Sequence, residues 1–553
     1  MMDANKCGNG WTGETRRDAA GVSRRKFLAI AGIAGAAAGA AGTRGVAGQL
    51  LHAGREFQIV APADKTRGFA VRSVQAHHAM GDHINSKGHL AQDVFTVRCV
   101  CKSSGQKGGV LEQLWQDAGG QVRIHARVRQ HGRNLDFKIR VENGYGFSIR
   151  GINFDLPAFT APYPAHGAIL DACCGGRERV WQNEVGNDGL GYYRYSSLVM
   201  FYDRRSTAGV CVEYFDEELR NFELHWQTRG DECRPWLDSG CFTIEKGQSA
   251  EFGFRLRDYS HGMPEIAMDD YRQERLVPFM ARYEIPESPV FATSNPWAAT
   301  GWPFPSLEKK VAQCKALGAH GYIQWAPPDG QGIYEPFPQR LSWFAQVKQA
   351  SRSGMIMGVL IDPNFSPRID QNAAHWALDK KFLPDRAAPM AYGNPMAESY
   401  LLRVRNNLAA NGVRVAFWDT GGLPYGFATA EQNLTLLRRF KQGGISIMPE
   451  VSRDHTGWIT GVAINWNLPD SVKVYGGPQF TFDHPPRCQV LRRVTPNVKM
   501  FRGGVTAATL LGTGQRHWWE AMETDGTTMF LLGANNEPAK SELGQWAKEH
   551  GHG

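Results

Sequence analysis

The sequence predicts a multidomain chain of β and α/β class, a large antiparallel sandwich followed by a parallel α/β barrel. Two rhythms carry that prediction. From Arg55 to about Tyr259 apolar residues return at every second position, and beyond Pro289 short apolar runs alternate with helical stretches. Size agrees. The full 553 residues exceed what one core organises, and the about 264 residues after Pro289 match the ~250 typical of an eight-stranded barrel. An open doubly wound sheet is the alternative for the second half.

In the first half, Val122, Ile124, Ala126 and Val128 alternate with Arg123, His125, Arg127 and Arg129. Leu135, Phe137, Ile139 and Val141 repeat the pattern, and His131-Gly132-Arg133-Asn134 between them reads as a turn. The two runs form a hairpin with one wet face. Phe252, Phe254 and Leu256 close the region in the same rhythm. Many short strands with hardly a helix need their apolar faces covered, which calls for two stacked sheets. His77, His78, His83 and His89 lie among loop residues without metal-ligand spacing, and Asp216-Glu217-Glu218 reads as a solvated turn. Residues 260–289 form a helical linker: Pro264 to Leu276 is helical, and Pro278, Pro286 and Pro289 punctuate the chain beyond it.

In the second half, Val290–Thr293 reads as the first strand and Leu307–Leu317 as an amphipathic helix. Gly321–Trp325 is the second strand, with a helix from about Gln339 to Arg352 after it. Met355–Ile361 is the third. A helix from Met396 to Ala410 leads into a strand ending at Asp419, and one from Thr429 to Lys441 into a strand ending at Glu450. Ser471–Tyr475, Val498–Phe501 and Thr528–Leu532 are the later strand candidates.

The N-terminus carries Ser23-Arg24-Arg25-Lys26-Phe27-Leu28, then an Ala/Gly-rich apolar stretch and small residues at Gly45-Val46-Ala47. Residues 1–47 therefore resemble a twin-arginine export signal, and the passenger is expected outside the cytoplasm, periplasmic or extracellular. No other stretch approaches the ~18 apolar residues of a membrane span. Seven Lys/Arg against three Asp/Glu in that segment account for half of the net charge of +8. The remainder is too dilute to form a nucleic-acid stripe. None of the ten cysteines belongs to a Cys-x-x-Cys motif, and no dinucleotide fingerprint or haem attachment site is present. No metal or cofactor is expected. Cys233 and Cys241 could bridge a hairpin in an oxidising compartment.

The chemistry is sought where barrel strands end. Val413-Arg-Val-Ala-Phe-Trp418 runs into Asp419, followed by Thr420-Gly421-Gly422. Ile445-Ser-Ile-Met-Pro449 runs into Glu450, 31 residues later, the interval of one β/α unit. Asp362 follows the third strand. Carboxylates on adjacent strands, ~4.8 Å apart, approach the ~5–5.5 Å of a retaining glycosidase pair. Asp419 would be the nucleophile, since glycines beyond it admit a ligand to the backbone. Glu450 would be the acid/base, raised by burial and by its negative neighbour, and Asp362 would hold a sugar hydroxyl. Asp and Gly after a strand are also ordinary loop residues. Three acids in order from separate units set this case apart.

Eleven of sixteen tryptophans lie beyond residue 289. Trp297, Trp302, Trp325, Trp418 and Trp466 fall near strand ends or in loops, where an indole can stack on a pyranose; core packing is the competing use of each. Asn295, Gln324 and Arg453 are candidate hydroxyl ligands.

A sandwich, helical linker and barrel in this order resembles the glycoside hydrolases that join a galactose-mutarotase-like supersandwich to a TIM barrel. The α-galactosidases, α-glucosidases and endo-α-N-acetylgalactosaminidases are among them. Leu135-Asp-Phe-Lys-Ile-Arg-Val-Glu-Asn143 and Ile152-Asn-Phe-Asp-Leu-Pro157 are similar to the supersandwich strand pair. The resemblance implies an N-terminal antiparallel β-supersandwich over residues 55–259 and a (β/α)8 TIM barrel over 290–553. It also implies a nucleophile after the fourth strand, matching Asp419. An acid after the fifth, matching Glu450, is the endo-α-N-acetylgalactosaminidase arrangement. The expected function is an exported retaining α-glycosidase with a carbohydrate substrate. A non-catalytic carbohydrate-binding or scaffold protein on the same architecture is the alternative.

Overall fold

The computed structural model describes residues 50–53, 58–60, 69–74, 93–146, 149, 151–160, 164–173, 177–181, 185–187, 194–219, 222–239, 244–288, 297–300, 307–316, 320–324, 341–361, 395–418, 430–449, 453–465, 493–506, 528–532 and 549. Expectations for the histidine cluster, the export segment and Ser471–Tyr475 lie outside them.

The first half forms two nine-stranded sheets whose strand pairs are antiparallel throughout. The expected hairpin is present: Val122 pairs with Asn143 and His131 with Asn134, with Gly132 at φ +54° in the turn. Burial alternates along Val122–His131 as the sequence requires, apolar side chains in and arginines out. Between the sheets Phe154 meets Phe252, Phe159 meets Phe201, and Phe201 stands edge-on to Trp226. The strand Arg194–Asp203 is buried on both faces. Val199 and Phe201 enter the core between the sheets, whereas Leu198, Met200 and Tyr202 turn to the linker helices. That double burial is why Leu198–Tyr202 reads as a continuous apolar run. The sheet region begins earlier than Arg55, with Leu50–Ala53 paired to Gln58–Val60.

The linker is helical as expected, Glu265–Tyr271 and Val277–Arg282 joined by a π-helical turn at Arg272–Leu276. Its apolar side, including Met268, Tyr271, Phe279 and Met280, joins one core with the outer face of the sandwich and the second half. The reading of residues 216–218 as a solvated turn holds for Glu217 and Glu218, an exposed turn, and fails for Asp216. Asp216 is buried, and Glu217 pairs with Arg282 of the linker at 2.7 Å. Cys233 is a free, buried thiol, so its expected bridge is not formed; Cys241 lies outside the described residues.

The second half contributes eight parallel strands: β1 (Trp297–Thr300), β2 (Gly321–Gln324), β3 (Ile356–Ile361), β4 (Val413–Trp418), β5 (Ser446–Pro449), β6 (Val462–Asn465), β7 (Lys499–Thr506) and β8 (Thr528–Leu532). The helices are α1 (Leu307–Ala316), α2 (Leu341–Arg352), α3 (Pro395–Ala410), α4 (Ala430–Gln442) and α5 (Asp454–Thr460). The sheet runs β5-β4-β3-β2-β1-β8-β7-β6. From β1 to β5, and again from β6 to β8, every step goes to the same side. Right-handed crossovers then place the helices on one face, unlike a doubly wound sheet. Between β5 and β6 no ladder is formed among the described residues, although their Cα atoms come within 8 Å. The first strand is Trp297–Thr300 rather than Val290–Thr293, which lies outside the described residues.

Candidate functional site

The site is framed by β3, β4 and β5. Ile361 pairs with Trp418, and Trp418 with Pro449, so the last described residues of three adjacent strands form one rung. Met357, Val359 and Ile361, Ala416 and Trp418, and Ile447 belong to the core shared with the helices. Strand alternation sends their neighbours Leu360, Phe417 and Met448 to the opposite face. On that face the packing is tight. A Cβ on Gly358 would lie 2.9 Å from Ile323 Cγ1 and 3.3 Å from Val415 Cβ. Asp362, Asp419 and Glu450 each come next in sequence after a member of the rung; all three lie outside the described residues.

Two expected substrate ligands are corrected. Trp418 is completely buried, with its indole edge-on to Phe440 of α4 at a centroid distance of 5.2 Å. Gln324 is buried too, and its Oε1 accepts the indole N–H of Trp343 on α2 at 3.0 Å. Both side chains fill the layer between sheet and helices, so neither stands at a mouth open to a sugar.

Arg453 occupies the N-cap position of α5 and is buried. Every residue of the short helix behind it is buried. The Asp454 carboxylate accepts the N–H of His455 at 2.8 Å and the hydroxyl of Tyr271, a linker residue, at 2.5 Å. Burial holds the His455 imidazole below its usual range and Arg453 adds to this, against the opposing pull of Asp454. That leaves a neutral ring near pH 7. The clustering of Arg453, Asp454 and His455 just past a strand end is visible in the sequence. Tyr271, contributed from 183 residues away, is not.

Trp297 opens β1, its backbone paired with Gly321 and Phe530, and so stands at the N-terminal ends of the strands, the opposite end from the rung and not the place expected of a sugar ligand; Asn295 precedes β1 in sequence. Asn295, Trp302, Trp325 and Trp466 lie outside the described residues. Among the described residues no group of three or more His, Cys, Asp or Glu side chains could hold a metal ion. None of their helices is long and apolar enough to cross a membrane.

No family model matches the sequence, and no curated protein matches it. Solved structures do resemble the fold. A variant of the GH36 α-galactosidase AgaA from Geobacillus stearothermophilus, in complex with stachyose, is 13% identical with a TM-score of 0.46 over 83% of this chain and 74% of that one. The α-galactosidase from Lactobacillus brevis is 12% identical with a TM-score of 0.43, covering 88% and 72%. TtGalA, an α-galactosidase from Thermus thermophilus in complex with stachyose, is 11% identical with a TM-score of 0.46, covering 78% and 97%. All three are α-galactosidases, one of the groups the sequence resembles. At this identity and these TM-scores the likeness assigns no chemistry to this chain.

Proposed function

We propose that the protein is an exported glycoside hydrolase acting on α-glycosides, with Asp419 as nucleophile and Glu450 as acid/base. The observation that carries the reading is the rung Ile361–Trp418–Pro449, each member of which is followed in sequence by a carboxylate. Strand spacing of ~4.8 Å then favours the ~5–5.5 Å separation of a retaining pair. Asp419 would attack the anomeric carbon while Glu450 protonates the departing oxygen. Glu450 would next deprotonate the water that releases the sugar from Asp419. Asp362 would bind a hydroxyl, with Trp302, Trp325, Trp466 and Arg453 around the sugar. The carbohydrate is the only partner in this reading, which needs neither nucleic acid nor cofactor.

The eight strands form a closed (β/α)8 barrel in this reading. If the sheet were flat, the chain from Pro449 to Val462 would have to cross seven strand spacings, ~34 Å. It holds a seven-residue helix that spans only ~10 Å, and the rest of it, even fully extended, adds roughly 25 Å, which leaves nothing to spare. It must also return along a strand. Curling brings β5 beside β6 and removes the difficulty.

The test is a panel of aryl α- and β-glycosides, with the first-formed anomer followed by NMR. Hydrolysis of an α-glycoside with retention supports the reading. Turnover of β-glycosides alone, or inversion, would overturn it.

A further inference from the structure

Between the ladder of β5, which ends at Pro449, and the N-cap of α5, Arg453, the chain has room for three residues, the first of them Glu450. Both ends of that span are held. Pro449 is in register with Trp418. Beyond Arg453, α5 is tied along its length to the linker. The Tyr271 hydroxyl donates to Asp454 Oδ2 at 2.5 Å and receives the Ser197 N–H of the sandwich at 3.4 Å. Trp458 donates its indole N–H to the Ile285 carbonyl at 2.9 Å, and the Ser288 N–H donates to the Trp458 carbonyl at 2.8 Å. The Arg272 guanidinium lies 5.0 Å over the Trp458 ring.

Of these ties Tyr271 is the one nearest in sequence to the span, and it is wholly buried. A hydroxyl offered to a carboxylate inside a protein is worth more than one offered at the surface, and it sets direction as well as distance. An acid/base group depends on such placement, since a shift of ~1 Å can cost ~10²-fold in rate. We infer that Tyr271 is a positioning residue for the reaction proposed above: through Asp454 it fixes the connection that carries Glu450. The linker thereby becomes part of the active-site frame, and the sandwich reaches the chemistry through Ser197. The inference rests on Glu450 being the acid/base.

The experiment compares kcat/KM, which reports formation of the glycosyl-enzyme and not its hydrolysis, for two α-glycosides of the same sugar, one with a poor leaving group and one with dinitrophenolate, which leaves without protonation. A misplaced acid slows only the first. Tyr271→Phe should lower kcat/KM for the poor leaving group roughly tenfold while changing kcat/KM for the dinitrophenyl glycoside less than about twofold. Asp454→Asn keeps an oxygen for the Tyr271 hydroxyl and should lose less than Asp454→Ala. If Tyr271→Phe does not fold, Trp458→Phe, which loses the tie to Ile285, should show the same bias. Equal losses on both substrates, or none, would overturn the positioning role. Glu450→Gln run alongside separates the two ideas. If it shows the leaving-group bias and the linker variants do not, only this inference fails; if Glu450→Gln shows none, the acid/base assignment itself fails.

Discussion

Arg257 and Glu213 face one another with both side chains wholly buried, the guanidinium Nε 3.2 Å from the carboxylate. The rest of the guanidinium is taken up by the linker: Glu274 at 2.6 Å and Asp270 at 2.9 Å. Arg275, also of the linker, reaches Glu213 at 3.4 Å. The sandwich and the linker thus share one ion cluster, buried at its Arg257–Glu213 centre and exposed at Glu274. Arg257→Met leaves the buried Glu213 to Arg275 while Glu274 keeps Arg255 and Asp270 keeps Arg133, and should destabilise the fold by about 3–5 kcal/mol. Glu213→Gln keeps an acceptor and should cost less, about 1–3 kcal/mol. Urea midpoints measure both, and a neutral Arg257→Met would show that the cluster holds nothing together.

Trp418 gives a second prediction. Because its indole is fully buried against Phe440, Trp418→Ala should lower stability by about 3–5 kcal/mol through cavity formation. In whatever fraction stays folded, KM should change little. A stable Trp418→Ala variant with a much raised KM would restore the stacking role expected from sequence.

Acid should unfold the protein below the ordinary carboxylate range. Burial works to raise Asp117, but hydrogen bonds from the Val122 N–H, the Tyr145 hydroxyl and the Gly119 N–H outweigh it and hold the group down. Glu274 is likewise held down by Arg257 and Arg255 against burial, and Glu217 by its hydrogen bond to Arg282. These groups are more acidic folded than unfolded, so the unfolded chain takes up protons first. Their stabilisation, complete above the unfolded value of ~4, is lost as pH falls through the folded values. Glu213 has the opposite sign, since burial raises it despite Arg257 and Arg275. Glu213→Gln should therefore lose most relative to wild type at acid pH and least near neutrality, where the wild-type carboxylate is charged at a cost. Thermal melts from pH 7 to pH 3 check both signs.

Much of this architecture is legible in the sequence because the elements repeat cleanly. The helix Leu307–Ala316 and the strand Thr528–Leu532 stand within a residue of where pattern puts them. Val462–Asn465 and Asp454–Thr460 escape. The strand has only four residues, and the helix is buried on every side, so it lacks the polar face that marks amphipathic periodicity. Trp-Ala-Ala-Thr is too weakly apolar to outbid Val-Phe-Ala-Thr as first strand; its pairing with β2 and β8 identifies it. The outward turn of Trp418 and Gln324 is unreadable for another reason. Strands buried on both faces lose the polar alternation that would tell one face from the other. The candidate acids were found by a local signal, a carboxylate after an apolar run. Tyr271 leaves none, because its role depends on two distant segments docking.

The most direct test of the central claim is single-turnover and steady-state hydrolysis of an aryl α-glycoside by Asp419→Asn and Glu450→Ala, with and without azide. The account predicts that Asp419→Asn loses about three orders of magnitude or more in kcat, and that azide restores turnover in Glu450→Ala by replacing the water that Glu450 would activate. Near-wild-type turnover in both variants, with the fold intact, would contradict it.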